Sequence, residues 1–223
     1  SNDGMQFLSV SDEYIYLGFF ADSLRMEIHD ADNVRLRSNA KFKDTNAWYH
    51  VVFTFDSTQA TASNRMKMWV NNEQITDLDV ANYPNQNYGT YIGTNTQHSL
   101  GRRENDDTDY FDGCMSHAHL TVGYAYTPSD FGETDSTTGI WKPKTSPSVT
   151  YGNNGFFLKF ENSAAMGTDS SGNSNTFTVN GSMTQLIDTP SNVFATMNAL
   201  NSNPNITYTQ RNNTVNFDSV GDL

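Results

Sequence analysis

No apolar stripe of helical period runs longer than two turns anywhere in these 223 residues, and that absence limits the fold more than any single motif does. What recurs instead is the period-two or compact β-branched and aromatic run bounded by polar turns. Residues 14–20 (YIYLGFF) are one such run, and in 34–37 Val34 and Leu36 alternate with Arg35 and Arg37. Residues 49–55 (YHVVFTF), 66–70 (MKMWV), 88–92, 114–122 and 156–160 follow, with weaker runs at 176–179, 206–208 and 215–217. Turn clusters separate them at 30–33 (DADN), 57–64, Asn71-Asn72, 152–155 (GNNG) and 171–173 (SGN). Many short strands divided by such turns predict an all-β fold, an antiparallel β-sandwich of the jelly-roll kind with an extended C-terminal segment.

Composition agrees. The chain is rich in Asn, Thr, Ser, Gly and Tyr, which suit strands and turns and carry a penalty in helices. Aromatic residues at 13 % argue against disorder, although the 36 % hydrophobic content is thin beside the usual 45–50 % or so. Thirteen basic against twenty-five acidic residues leave a net charge of −12. Such a chain lacks the basic footprint that nucleic acid requires and is repelled by an anionic membrane surface. No run approaches the ~20 apolar residues of a membrane helix, so no membrane insertion is expected. Cys114 is the sole cysteine, which excludes an internal disulfide and a four-thiolate zinc site and reads as a small buried hydrophobe.

Organisation follows from composition along the chain. Residues 1–126 read as the sandwich, which either starts partway through the fold or has its missing first positions filled by the C-terminal segment. Residues 127–150 carry Pro128, Pro143, Pro147, Gly132 and Gly139 and read as an extended connector. Residues 151–197 are expected to complete or pack on the sandwich, since an open sheet edge invites association. Residues 198–223 are too polar to build a core and read as an extended arm.

The segment Trp48-Tyr49-His50-Val51-Val52-Phe53-Thr54-Phe55-Asp56 precedes Met66-Lys67-Met68-Trp69-Val70-Asn71-Asn72, then Tyr91-Ile92-Gly93, then Tyr110-Phe111-Asp112-Gly113-Cys114-Met115. This order resembles the laminin-G-like, concanavalin A-like jelly rolls across residues 45–125. A narrower set is similar to virion proteins of marine tailed phages, known as tail-fibre or capsid-appendage proteins. It comprises 127–133 (TPSDFGE), 138–144 (TGIWKPK), 167–173 (GTDSSGN) and 188–198 (DTPSNVFATMN). This resemblance implies a structural virion component with a lectin-like module, assembled in the host cytoplasm and carried on the extracellular particle. The partners it implies are other virion proteins, copies of the chain itself and host-surface glycans.

Candidate chemistry centres on the acidic run 104–109. Glycosidases need two flanking carboxylates, and jelly-roll glucanases look like Glu-x-Asp-x-x-Glu where this chain has Glu104, Asp106 and Asp109. The run is polar throughout and reads as a loop, so no catalysis is expected. Calcium, the one cofactor in view, seeks six to eight oxygens, and Asp106, Asp107, Asp109 and Asp112 could supply several, with Asp77 and Asp79 as an alternative. Solvated surface charge is the plainer reading of both groups. His117 and His119 stand two apart on an expected strand, facing one way. Trp48, Trp69 and Trp141 read as packing. The loop tyrosines Tyr83, Tyr88 and Tyr110 are the expected carbohydrate-binding residues, since loops at one end of a sandwich carry binding.

Overall fold

The computed structural model describes residues 4–11, 13–29, 33–104 and 108–191, together with the strand segments 206–209 and 214–217. Four strands open the chain: β1 (Gly4–Val10), β2 (Glu13–Phe20), β3 (Ser23–His29) and β4 (Val34–Lys41). Next come β5 (Val51–Phe55), β6 (Met66–Val70), β7 (Glu73–Gln74), β8 (Leu78–Asn82) and β9 (His98–Leu100). The remainder supplies β10 (Ala118–Leu120), a one-turn α1 (Pro128–Phe131), β11 (Gly132–Thr134), β12 (Trp141–Pro143) and β13 (Phe156–Leu158). A hairpin of β14 (Ile206–Thr209) and β15 (Thr214–Phe217) follows.

These strands form an antiparallel sandwich. One sheet has the order β8-β4-β3-β2-β1-β9, the facing one β5-β6-β7, and three two-stranded ribbons pair β10 with β13, β11 with β12 and β14 with β15. Tight hairpins set the registers. Ala21 and Asp22 (φ 48° and 65°) turn β2 into β3, while Asn71 and Asn72 (φ 49° and 71°) turn β6 into β7. Both pairs take the left-handed conformation that a two-residue hairpin matching strand twist demands, and Asn tolerates it well.

The core follows from alternation. Leu24, Met26 and Ile28 of β3 point inward with Ile15 and Leu17 of β2 and Val34 and Leu36 of β4. They meet Met66, Met68 and Val70 of β6, and Phe156 and Leu158 of β13 close the layer. Each such side chain contributes roughly 1.5–3 kcal/mol by leaving water.

Several expectations shift. A strand, β1, does precede Tyr14, and a bulge between Gln6 and Leu8 hides its alternation. Residues 88–92 form a loop, because the Tyr88 carbonyl is taken by the Ser57 hydroxyl (2.7 Å) and its ring by Phe55. In 114–122 only β10 is a strand, since His117 turns left-handed (φ 51°), so His117 and His119 do not share a strand face. Residues 176–179 are not a strand. The stretch 127–150 holds α1 and the β11–β12 hairpin, started by Pro128 at the first helical position and a Thr127–Asp130 capping box. Of the arm at 198–223, the residues outside β14 and β15 lie beyond those described.

The later ribbons dock on the sandwich through histidines. Trp141 Nε1–H donates to His50 Nδ1 (2.8 Å), and His119 stacks on Phe157 (4.0 Å between centroids) while sharing a hydrogen bond with the Tyr151 hydroxyl (3.0 Å). Burial pushes His50 down to about 4; burial, with His117 and His50 adding like charge, pushes His119 down to about 3. Unfolded, both imidazoles would protonate near 6.5. From there down towards pH 4 the unfolded chain therefore binds protons that the folded chain refuses, and stability falls by up to about 1.4 kcal/mol per pH unit for each group. Melting temperatures between pH 7 and 4.5 should drop steeply, and less steeply in His119→Gln. An unchanged slope in that variant would remove His119 from the account.

Candidate functional site

The outward face of a sandwich sheet is ordinarily solvated; that of the six-stranded sheet here is enclosed at its centre and part-exposed at Tyr14, Phe20, Arg35 and Arg37. Because strand side chains alternate, the residues between the core positions of β1 to β4 share this face: Gln6, Ser9, Tyr14, Tyr16, Gly18, Phe20, Arg25, Glu27, Arg35 and Arg37. Glu27 is only 1 % exposed and Arg25 8 %, and Gln6 and Tyr16 are fully enclosed. Charged groups survive such burial only when paired.

The pairing is explicit. Glu27 takes Arg25 Nη2 on one oxygen and lies 3.6 Å from Arg35 Nη1 on the other. Arg25 stands directly opposite Gly18, whose missing side chain lets the guanidinium fold across β2, 5.0 Å from the Tyr16 ring centre and 4.8 Å from that of Phe20. One strand over, Arg37 donates to Asp79 of β8 through Nε (2.6 Å). Gln6 Oε1, Arg25 Nε and Arg35 Nε are among the buried atoms on this face that make no hydrogen bond.

Residues 101–104 and 108–109 lie on the other side, where an isolated bridge pairs Arg103 with Thr108. Arg103 lies 4.7 Å from the centre of the Tyr14 ring and 3.6 Å from Asp109, and the Asp109 carbonyl accepts the Gln6 N–H (3.0 Å). Glu104 accepts from the Ser99 hydroxyl, from Gln97 (2.6 Å) and from Arg102 Nη2 (2.9 Å), while its own N–H reaches Ser9 Oγ (3.0 Å). Five of the seven arginines of a chain at −12 thus converge on one sheet face. Burial raises the Tyr14 phenol, with Glu27 and Asp109 adding to the rise and Arg25 and Arg103 opposing it.

The sequence-derived residues distribute as follows. Tyr110 projects beside Asp109 and is 58 % exposed, whereas its neighbour Phe111 turns inward onto Phe7 (5.4 Å). Tyr83 and Tyr88 are half-buried against the core. Tyr83 also lines a cleft of about 300 Å³ between the sheet edges at β7 and β8, with Leu36, Met66, Lys67 and Gln74. Of the calcium set, Asp109 faces Arg103, Asp112 is exposed, and Asp106 and Asp107 lie outside the described residues. Asp77 accepts Asn39 (2.6 Å) and Asp79 accepts Arg37. Among the described residues no three acidic, His or Cys side chains gather as a metal group. The three indole N–H groups donate inward, to Asp188, Thr54 and His50. Cys114 is half-buried, not enclosed.

Sequence reasoning passed over Tyr91 and Tyr124, both about half exposed, on loops that meet where Gly93 packs against Val122 and accepts from Asn154 (2.8 Å). It also passed over the arginine row, whose signal was present: Arg25 and Glu27, like Arg35 and Arg37, alternate with apolar residues. No helix among the described residues is long and apolar enough to cross a membrane. The family model for the concanavalin A-like lectin/glucanases superfamily matches residues 1–130. No curated protein and no solved structure matches the chain.

Proposed function

The chain belongs to the concanavalin A-like lectin/glucanases superfamily, and from that premise we propose that it binds carbohydrate without cleaving it, through the outer face of its six-stranded sheet. The observation that carries this reading is the convergence of the part-exposed Arg35, Arg37, Arg102 and Arg103 with Tyr14 on that face, beside the exposed ring of Tyr110. Guanidinium forks present fixed, planar pairs of donors that suit the oxygens of a sugar, and an exposed ring offers an apolar surface for its flat side. From β4 to β9 the face spans four strand spacings, roughly 19 Å, enough for an oligosaccharide.

Binding is favoured over hydrolysis because Glu27, Asp79, Glu104 and Asp109 each already face a guanidinium. A glycosidase needs one carboxyl kept available as a proton donor. We further place the module on the virion of a tailed phage, in a fibre or capsid appendage, with host-surface glycans as its target. The segments 127–133, 138–144, 167–173 and 188–198 support that placement, and locating the polypeptide on intact particles by electron microscopy tests it.

A glycan array probed with the full chain should retain it, and Tyr110→Ala should weaken retention about tenfold, the loss of one exposed anchor. Retention should persist in EDTA, because Asp109 already faces Arg103. An array on which no glycan retains the chain would end this reading.

A further inference from the structure

Resting on the reading that this face binds sugar, we infer that its ligand is an acidic saccharide, whose anionic group sits on Arg35 with Arg37 beside it. The three central arginines differ in what is left of their donors. Arg25 is enclosed, paired with Glu27 and laid over two rings. Arg37 holds Asp79 and keeps about a third of its side chain in solvent. Arg35 is the one with unspent capacity. Its Nε–H is enclosed, but its Nη1 stands 3.6 Å from its nearest carboxylate oxygen, Glu27 Oε1, beyond hydrogen-bond length. A quarter of its side chain still reaches solvent.

Charge points the same way. Glu27 is one carboxylate between two guanidiniums, so the Arg25–Glu27–Arg35 group carries a net positive charge in a molecule whose total is −12. Arg25 Nε, nine-tenths enclosed and unpartnered, sits on the same face. A neutral hydroxyl would satisfy one donor. A carboxylate or sulfate group pairs with the solvent-reaching end of Arg35 and offsets the charge as well, which makes it the better complement. Arg37, two residues along β4 on the same side, lies within the reach of the same anion or the next along an acidic chain.

The test compares polygalacturonate, its carboxyl-reduced neutral counterpart and dextran sulfate, each titrated against the full chain by calorimetry at 50 and 500 mM NaCl. Polygalacturonate or dextran sulfate should bind at least tenfold more tightly than the neutral polymer, and the two acidic arms say whether carboxylate or sulfate is preferred. High salt should weaken that binding about tenfold. Arg35→Gln should remove about tenfold of it, with Arg37→Gln as the companion variant in case Arg35→Gln does not fold by circular dichroism. Equal affinity for the neutral and acidic polymers, or unchanged acidic binding in both variants, would overturn the inference and leave sugar binding standing. No binding by any polymer, together with an empty glycan array, would overturn both.

Discussion

Glu27→Ala should destabilise this protein by about 3–5 kcal/mol, read as a large fall in the urea midpoint with an unchanged slope. Glu27 is 1 % exposed and holds Arg25 and Arg35 together, so its removal leaves a buried guanidinium with no counter-charge. Most of that cost is the stranded charge of Arg25, not the attraction itself. The double replacement Arg25→Met with Glu27→Leu should therefore recover most of the loss, because two apolar side chains of similar volume need no partner. Recovery in the double variant separates the electrostatic account from simple packing. A single variant as stable as the parent would show that Arg25 finds another acceptor.

Gly18→Ala should be at least as damaging, with an expected loss of about 3 kcal/mol or more. A Cβ at Gly18 would overlap the Met5 carbonyl oxygen and lie 2.9 Å from the Gln6 Cα. Both are backbone atoms of the paired strand β1, so neither can swing aside as a side chain can. Gly89→Ala is the matched control: nothing lies within 4 Å of its added carbon, and stability should move by no more than about 0.5 kcal/mol. If the two variants melt together, close approach of β1 and β2 does not constrain this sheet.

Much of the sandwich was legible from single runs. Residues 66–70 read as a strand and are one, since Met66, Met68 and Val70 alternate cleanly with Lys67 and Trp69. Residues 14–20 were equally clear. Strand β1 was hidden by its bulge, which places Phe7 and Leu8 consecutively on the inner side and breaks the period. The run 88–92 misled in the opposite sense: its apolar residues pack on the core from a loop, where composition alone cannot tell them from a strand. Tyr110 was expected on an exposed loop and stands exposed. Tyr83 carried the same signal and is half-buried, because exposure depends on the neighbouring strand edges and not on its own surroundings in sequence.

Alternation and turn residues were enough to determine an all-β antiparallel fold, because these are local properties. Which polar residues would stand together was decided only by register. Gly18 opposite Arg25, Tyr16 and Arg35 opposite Glu27, and Glu104 bonded to Ser9 join residues up to 95 positions apart. Their proximity comes from hydrogen-bonded pairing between distant strands, a property of the assembled sheet that no stretch of the chain carries by itself.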